Sequence, residues 1–208
     1  MLEALTGTGL AASAGLNAYI PLLTMGLLDR YTDTIDLPGG WQWLSNGWVL
    51  VILAVLLAVE VVADKVPVVD HVNDVVQTVV RPTAGGLAFG AGSSSETVTV
   101  SDPGSFFGSH QWVPVAAGVV IALCVHGFKA ASRPVVNVST AGVGAPVAST
   151  AEDFTSVVLS LLAILLPVLV LLGLVVLVAG AVWVIRRRRR RRRERQTSEG
   201  VGTQRLFG

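Results

Sequence analysis

Between residues 60 and 81 the chain carries Glu60, Asp64, Lys65, Asp70, His71, Asn73, Asp74, Gln77 and Arg81, at the end of an apolar run suited to a bilayer. Carboxylates beside an imidazole can bind a cation, relay protons or ligate a divalent metal. A second group, His126, Lys129, Arg133 and Asn137, is followed by Ser139, Ser149, Glu152 and Asp153. Its cations suit an anionic group such as a phosphate or a lipid headgroup. If 68–82 is helical, Asp70, Asp74, Gln77 and Arg81 fall at i, i+4, i+7 and i+11 and make one polar stripe among valines. His126, Lys129 and Arg133 fall at i, i+3 and i+7 and make a cationic stripe. A charge at the bilayer centre costs at least about 2.5–3.5 kcal/mol, so opposite stripes are natural partners. The expected substrate- or ion-binding set is Glu60, Asp64, Asp70, His71, Asp74, Arg81, His126, Lys129, Arg133, Asn137, Glu152 and Asp153.

Other chemistries find less support. Asp64, Asp70, His71 and Asp74 match no specific metal spacing. The glycines at 7–9 and 85–92 lack the lysine-serine and strand-helix context of a phosphate loop and suit close helix contact instead. No nucleophile elbow stands out, so an enzyme is the less favoured class and no cofactor is expected.

The elements that must position these residues read as membrane helices. Of 208 residues, 52% are hydrophobic and 14% charged, against roughly 25% charged in soluble domains. A span needs about 20 apolar residues, and four segments approach this: 4–28, 47–63, 112–132 and 154–185. The first is interrupted by Asn17 and Pro21. The last would be about 48 Å long as a straight helix, so it must tilt, kink at Pro167 or begin inside the protein. Two semi-polar segments, 68–92 and 134–151, are expected to be broken or re-entrant. The start carries Glu3 rather than a basic leader and is read as mature sequence. Cys124 stands alone, which excludes an intramolecular disulfide and a cysteine-based zinc site.

Charge is divided sharply. Residues 1–185 hold five basic and twelve acidic side chains, and 186–208 hold ten basic and two acidic. The run Arg186, Arg187, Arg188, Arg189, Arg190, Arg191, Arg192 and Arg193 reads as a cytoplasmic stop signal that also attracts anionic headgroups, in a tail expected to be disordered. Nucleic acid is not an expected partner, since no fold or aromatic platform supports it. Sliding the chain by 64 pairs Trp48 with Trp112, Lys65 with Lys129, Asn73 with Asn137 and Pro82 with Pro146. This suggests duplicated units at about 48–92 and 112–153, either parallel or inverted. Both versions put the two termini in the cytoplasm and the acidic 29–46 loop outside.

Two stretches, "ADKVPVVDHVNDVVQTVVRPTAGGLAF" and "HGFKAASRPVVNVSTAGVGAPVASTAEDF", resemble the bacterial membrane family catalogued as domain of unknown function 4126. The similarity covers about residues 5–180. The family pattern D-K-x-P-x-x-D-H-x-x-D followed by R-P-x-x-G is met by Asp64, Lys65, Pro67, Asp70, His71, Asp74, Arg81, Pro82 and Gly85. The pattern H-x-x-K-x-x-x-R-x-x-x-N-x-S, a proline-serine pair and E-D are met by His126, Lys129, Arg133, Asn137, Ser139, Pro146, Ser149, Glu152 and Asp153. The resemblance implies a small polytopic membrane protein and no particular activity. It also suggests that these polar residues belong to one site.

The expected fold is an all-α, polytopic membrane bundle over 1–185, with four firm spans, two broken segments and a basic tail over 186–208. It is placed in a bacterial cytoplasmic membrane, with lipid, anionic headgroups and further copies of the chain as partners. The leading functional expectation is a small transporter or channel-like translocator. The alternative is a non-catalytic scaffold or assembly factor whose buried charges only pair.

Overall fold

A computed structural model describes residues 2–64, 67–93, 112–139 and 144–170, with 172, 173, 175, 176, 179, 182, 183 and 186 beyond them. Side chains at 67–72, 74, 133–139 and 145 are left aside. The described residues form helices and connecting turns and no strand. In chain order they are α1 (Leu2–Leu16), α2 (Tyr19–Tyr31), a 3-10 turn (Gln42–Ser45), α3 (Gly47–Ala63), α4 (Pro67–Gly92), α5 (Trp112–Ser139) and α6 (Gly144–Leu165).

The segment expected to be one span over 4–28 is two helices. Asn17 separates them, and its side-chain oxygen accepts from the amides of Tyr19 (3.1 Å) and Ile20 (3.3 Å), capping α2. Pro21 then sits in the first turn of α2, where a missing amide donor is tolerated. The chain reverses here. Leu10 of α1 and Met25 of α2 line the same cavity, whereas a straight helix would hold them about 22 Å apart. The cavity also joins Glu3 to Asp36. The amino-terminal turn and the 32–37 loop therefore lie on one side of the fold, not on opposite sides as expected.

α1 is the centre of the fold and packs on α4, α5 and α6. Its composition, "LEALTGTGLAASAGL", makes this possible, because small residues let helix backbones approach. A Cβ on Gly15 would lie 2.6 Å from the Val125 Cβ, and one on Gly9 2.6 Å from the Ala163 Cβ. α4 and α5 touch most closely where Gly118 meets the Gly85 carbonyl.

α3 occupies the predicted 47–63. Asn46 caps its start by accepting from the Trp48 amide at 2.9 Å. The semi-polar segment 68–92 is not broken: α4 runs through Pro82 for 26 residues. α5 runs through Pro134 to Ser139, and the second semi-polar segment, 134–151, is divided between α5 and α6. The last apolar segment begins early, at Gly144, and Leu166 leaves the helix just before Pro167, as the preference against α conformation before proline explains. At an offset of 64, Trp48 and Trp112 both fall at helix starts, whereas the α3 cap Asp64 falls on Phe128 inside α5.

Among the described residues two helical stretches, not four, are long and apolar enough to cross a membrane: Trp112–Ser132 and Pro146–Leu165. α3 is apolar but has 17 residues, and the first segment is split at Asn17. These stretches associate the protein with a membrane. Residues Met1–Leu171 form one compact unit and Leu172–Gly208 another. In the second, the described positions are helical, with Leu172, Val175, Val176 and Trp183 exposed.

The distribution of polarity is the reverse of a water-soluble domain. Val51, Ile52, Val55, Val59 and Val62 of α3 are exposed, and Glu60 and Asp64 of the same helix turn are each 2% exposed. α4 repeats the pattern, with Val75, Val76 and Val79 outward and Gln77 and Arg81 buried.

Candidate functional site

The reversal at Asn17 brings the carboxyl end of α1 and the amino end of α2 against the polar faces of α3, α4, α5 and α6. Helix ends carry unpaired backbone groups, which the site uses. The Leu16 carbonyl accepts from Lys129 Nζ at 3.2 Å, a cation at the negative end of the α1 dipole. Asn17 is 1% exposed and donates through Nδ2 to Asp153 Oδ1 at 2.9 Å. One side chain thus caps α2 and fixes a carboxylate of α6.

Arg81 is fully buried and organises one half of the cluster. Its Nη2 donates to Glu60 Oε1 at 2.7 Å and stands 3.9 Å from Asp64 Oδ2. Its Nη1 lies 3.1 Å from His126 Nδ1. A guanidinium has donors only, so Nδ1 must be the acceptor and the imidazole is neutral. Nε2 then carries the ring proton and donates to Thr78 Oγ1 at 3.2 Å.

Lys129 organises the other half. Nζ reaches Glu152 Oε2 at 2.8 Å and Asp64 Oδ2 at 3.3 Å. Asp64 therefore faces both cations, and it also accepts from Asn73 Nδ2 at 2.7 Å and from Ser149 Oγ at 3.4 Å. Carboxylates from α3 and its cap and from α6 hold two cations, one from α4 and one from α5. Removing the two buried ion pairs from water requires this degree of compensation.

Compensation is incomplete around Glu60. Its Oε2, the Gln77 Oε1 and the Arg81 Nε have no hydrogen-bond partner, although all three side chains are at least 98% buried. Tyr19, in the first turn of α2, stands within hydrogen-bonding reach of Gln77 and close to Glu60 and Arg81. One buried oxygen of Glu60 and the Arg81 Nε thus remain unpaired, and the Gln77 amide is engaged by Tyr19.

The family described as "Domain of unknown function (DUF4126)" matches residues 4–187, most of the chain. The protein is a member of the DUF4126 family. No curated protein and no solved structure matches it.

Within this DUF4126 chain, seven residues of the sequence-predicted set meet: Glu60, Asp64, Arg81, His126, Lys129, Glu152 and Asp153 are linked through the contacts above. Asp70, His71, Asp74, Arg133 and Asn137 lie outside the described side chains. So does the expected pairing of the 70–74 stripe with Lys129 and Arg133. In the described part the partners are instead Glu60 with Arg81, and Asp64 and Glu152 with Lys129. Arg186 is helical and exposed, and Arg187–Arg193 lie outside the described residues. No group of three or more metal-ligating side chains occurs among the described residues.

Sequence reasoning gave Asn17 no place in the site and left out Tyr19, Thr78 and Ser13. A signal for Asn17 existed: an amide four residues before a proline, after a helix of small residues, is a cap. Thr78 and Tyr19 carry no signal, because only the crossing of helices brings them to His126 and Gln77.

Proposed function

We propose that this DUF4126 protein is a multi-pass protein of the bacterial cytoplasmic membrane that moves a proton or small cation through the polar space between its helices. Its valine-rich outer faces suit acyl chains, and its ionisable groups point inward, where intramembrane charges belong. The α1–α2 hairpin enters from one side, and its tip ends at the charges. Discontinuous helices whose ends meet near buried polar residues are the usual architecture of intramembrane ion sites. The arginine run from Arg186 fixes the carboxyl end in the cytoplasm.

The observation that carries this reading is the unpartnered acceptor Glu60 Oε2, on a side chain that is 2% exposed. Each buried polar atom without a partner costs about 1–3 kcal/mol. A network kept only to fasten helices gains nothing from that arrangement, whereas a site that takes up a proton or cation requires it. His126 and Lys129 are engaged by Arg81, Asp64 and Glu152, which disfavours the expected anion-receiving role for them.

The test is purified protein in liposomes carrying pH- and sodium-sensitive dyes. Wild type should dissipate an imposed gradient, and Glu60→Gln should abolish that flux while the protein remains folded. A wild-type protein that moves neither ion and binds neither would refute the proposal.

A scaffold or assembly role is the second reading. It is favoured by the short contacts of Arg81 and Lys129, at 2.7 and 2.8 Å from their acidic partners. Glu60→Met combined with Arg81→Met separates the two. Replacing a buried ion pair by apolar residues of similar volume is often neutral or stabilising, so both readings expect a folded protein. Only the translocator reading expects the flux to disappear.

A further inference from the structure

A polar stripe runs along one face of α6. Ser149, Glu152 with Asp153, Ser156 and Ser160 follow at i, i+3 with i+4, i+7 and i+11, covering about 17 Å. Phe154, Val157, Val158 and Leu161 on the remaining surface are exposed. Opposite the stripe lie Asn17, just past the end of α1, and one turn earlier Ser13 of α1.

Ser13, Ser156 and Ser160 are fully buried, and Ser13 touches both of the others. Ser13 Oγ lies 2.7 Å from Ser156 Oγ, 2.7 Å from Ser160 Oγ and 2.9 Å from the Ser156 carbonyl. Ser156 Oγ in turn reaches the Ser13 carbonyl at 3.2 Å. Ser13 has one hydroxyl proton and three acceptors within reach, so several hydrogen-bond arrangements fit the same backbone. A single fixed bond would suffice to join the two helices.

The two ends of this cluster differ. At one end Ser156 follows Asp153 by one turn, and Asp153 is held by Asn17 beside the Lys129 and Asp64 group. At the other end Leu10 lies three residues before Ser13, and Ile164 four residues after Ser160. Both line the cavity of about 210 Å³ that also carries the exposed Glu3 and Asp36.

We infer that Ser13, Ser156 and Ser160 form a hydroxyl relay between the buried carboxylates and this acid-rimmed cavity, and that the species moved is the proton. The inference rests on the translocator reading and narrows it. Oxygens in direct contact leave no room for a dehydrated metal ion between them. The walls do not yield easily either, since a Cβ on the adjacent Gly9 would already lie 2.9 Å from Val170 Cγ2. A proton shared between two such oxygens needs no additional space. In one transfer a hydroxyl accepts a proton on one side and releases its own to the next. Every serine keeps one proton, and rotation about Cβ–Oγ resets the chain.

The competing explanation is that these serines only hold α1 to α6, as small polar residues do between membrane helices. Proteoliposome flux separates the two. Ser13→Ala and Ser160→Ala remove a hydroxyl with little change in volume and should lower proton flux by about tenfold or more. Thr155→Val, which removes an exposed hydroxyl from the same helix, should leave flux unchanged. Wild-type flux should be slower in D2O than in water, a measurement that needs no variant to fold, and a sodium gradient should persist.

Proton flux that survives both alanine substitutions, or shows no solvent isotope effect, overturns the relay and leaves the translocator reading standing. Sodium flux without proton flux overturns both the relay and the assignment of the proton, and leaves the translocator reading standing. A wild-type protein that conducts neither ion removes the translocator reading and the relay with it.

Discussion

α4 and α5 face each other in two regions built on opposite plans. Around Gly85 and Gly118 the backbones themselves touch, and a Cβ on Gly118 would strike the Gly85 carbonyl and approach the Phe89 Cβ within 2.5 Å. About one turn away along α4 and two along α5, Arg81 and His126 meet instead through long polar side chains at 3.1 Å. The glycine region sets how close the helices come. The charged region determines which faces are turned inward. A bundle in lipid gains little from burying apolar groups against one another, because lipid serves them equally well. Small-residue contact and polar pairing must supply what a hydrophobic core supplies in water.

If the two regions carry these separate duties, they fail by different amounts. The largest loss is expected for Arg81→Ala, which leaves Glu60 buried without its cation. Thermal unfolding in detergent should register about 3–5 kcal/mol. A variant as stable as wild type would show that the charged region does not hold the fold. Gly118→Val should follow, at about 1–3 kcal/mol for overpacking against a rigid backbone. Here stability is lost without any change of charge, so the deficit should be the same in low and high salt. The smallest effect is expected for Ser149→Ala. Its bond to Asp64 is long, at 3.4 Å, and a hydrogen bond between membrane helices averages about 0.6 kcal/mol. A loss as large as that of Arg81→Ala would mean that Asp64 depends on the serine more than on Lys129 and Asn73.

The same contrast explains what could be read from the sequence. α3 was legible to the residue, because a run between Asn46 and Asp64 that is apolar but for Glu60 reads as one helix. Glu60, Asp64, Arg81, His126 and Lys129 were legible as a set, because isolated charges in apolar helices must find one another. Their pairing was not. Whether Lys129 meets Asp74 or Asp64 depends on helix register, which is fixed by glycine contacts such as Gly85–Gly118 that look like ordinary composition bias. Prolines misled in both directions. Pro82 lies inside one continuous helix, while the true reversal at Asn17 is hidden in a segment apolar enough to pass as one span. Hydropathy counts residues and is blind to a cap.

Under the multi-pass reading proposed above, that reversal bears on parity. A segment that turns back contributes zero crossings, so the start of α1 and the loop after α2 are expected in one compartment. A reporter fused at the amino end and another inserted at Gly39, a position with open space around its Cα, should give the same answer to any impermeant label. Opposite answers would mean that the chain threads straight through.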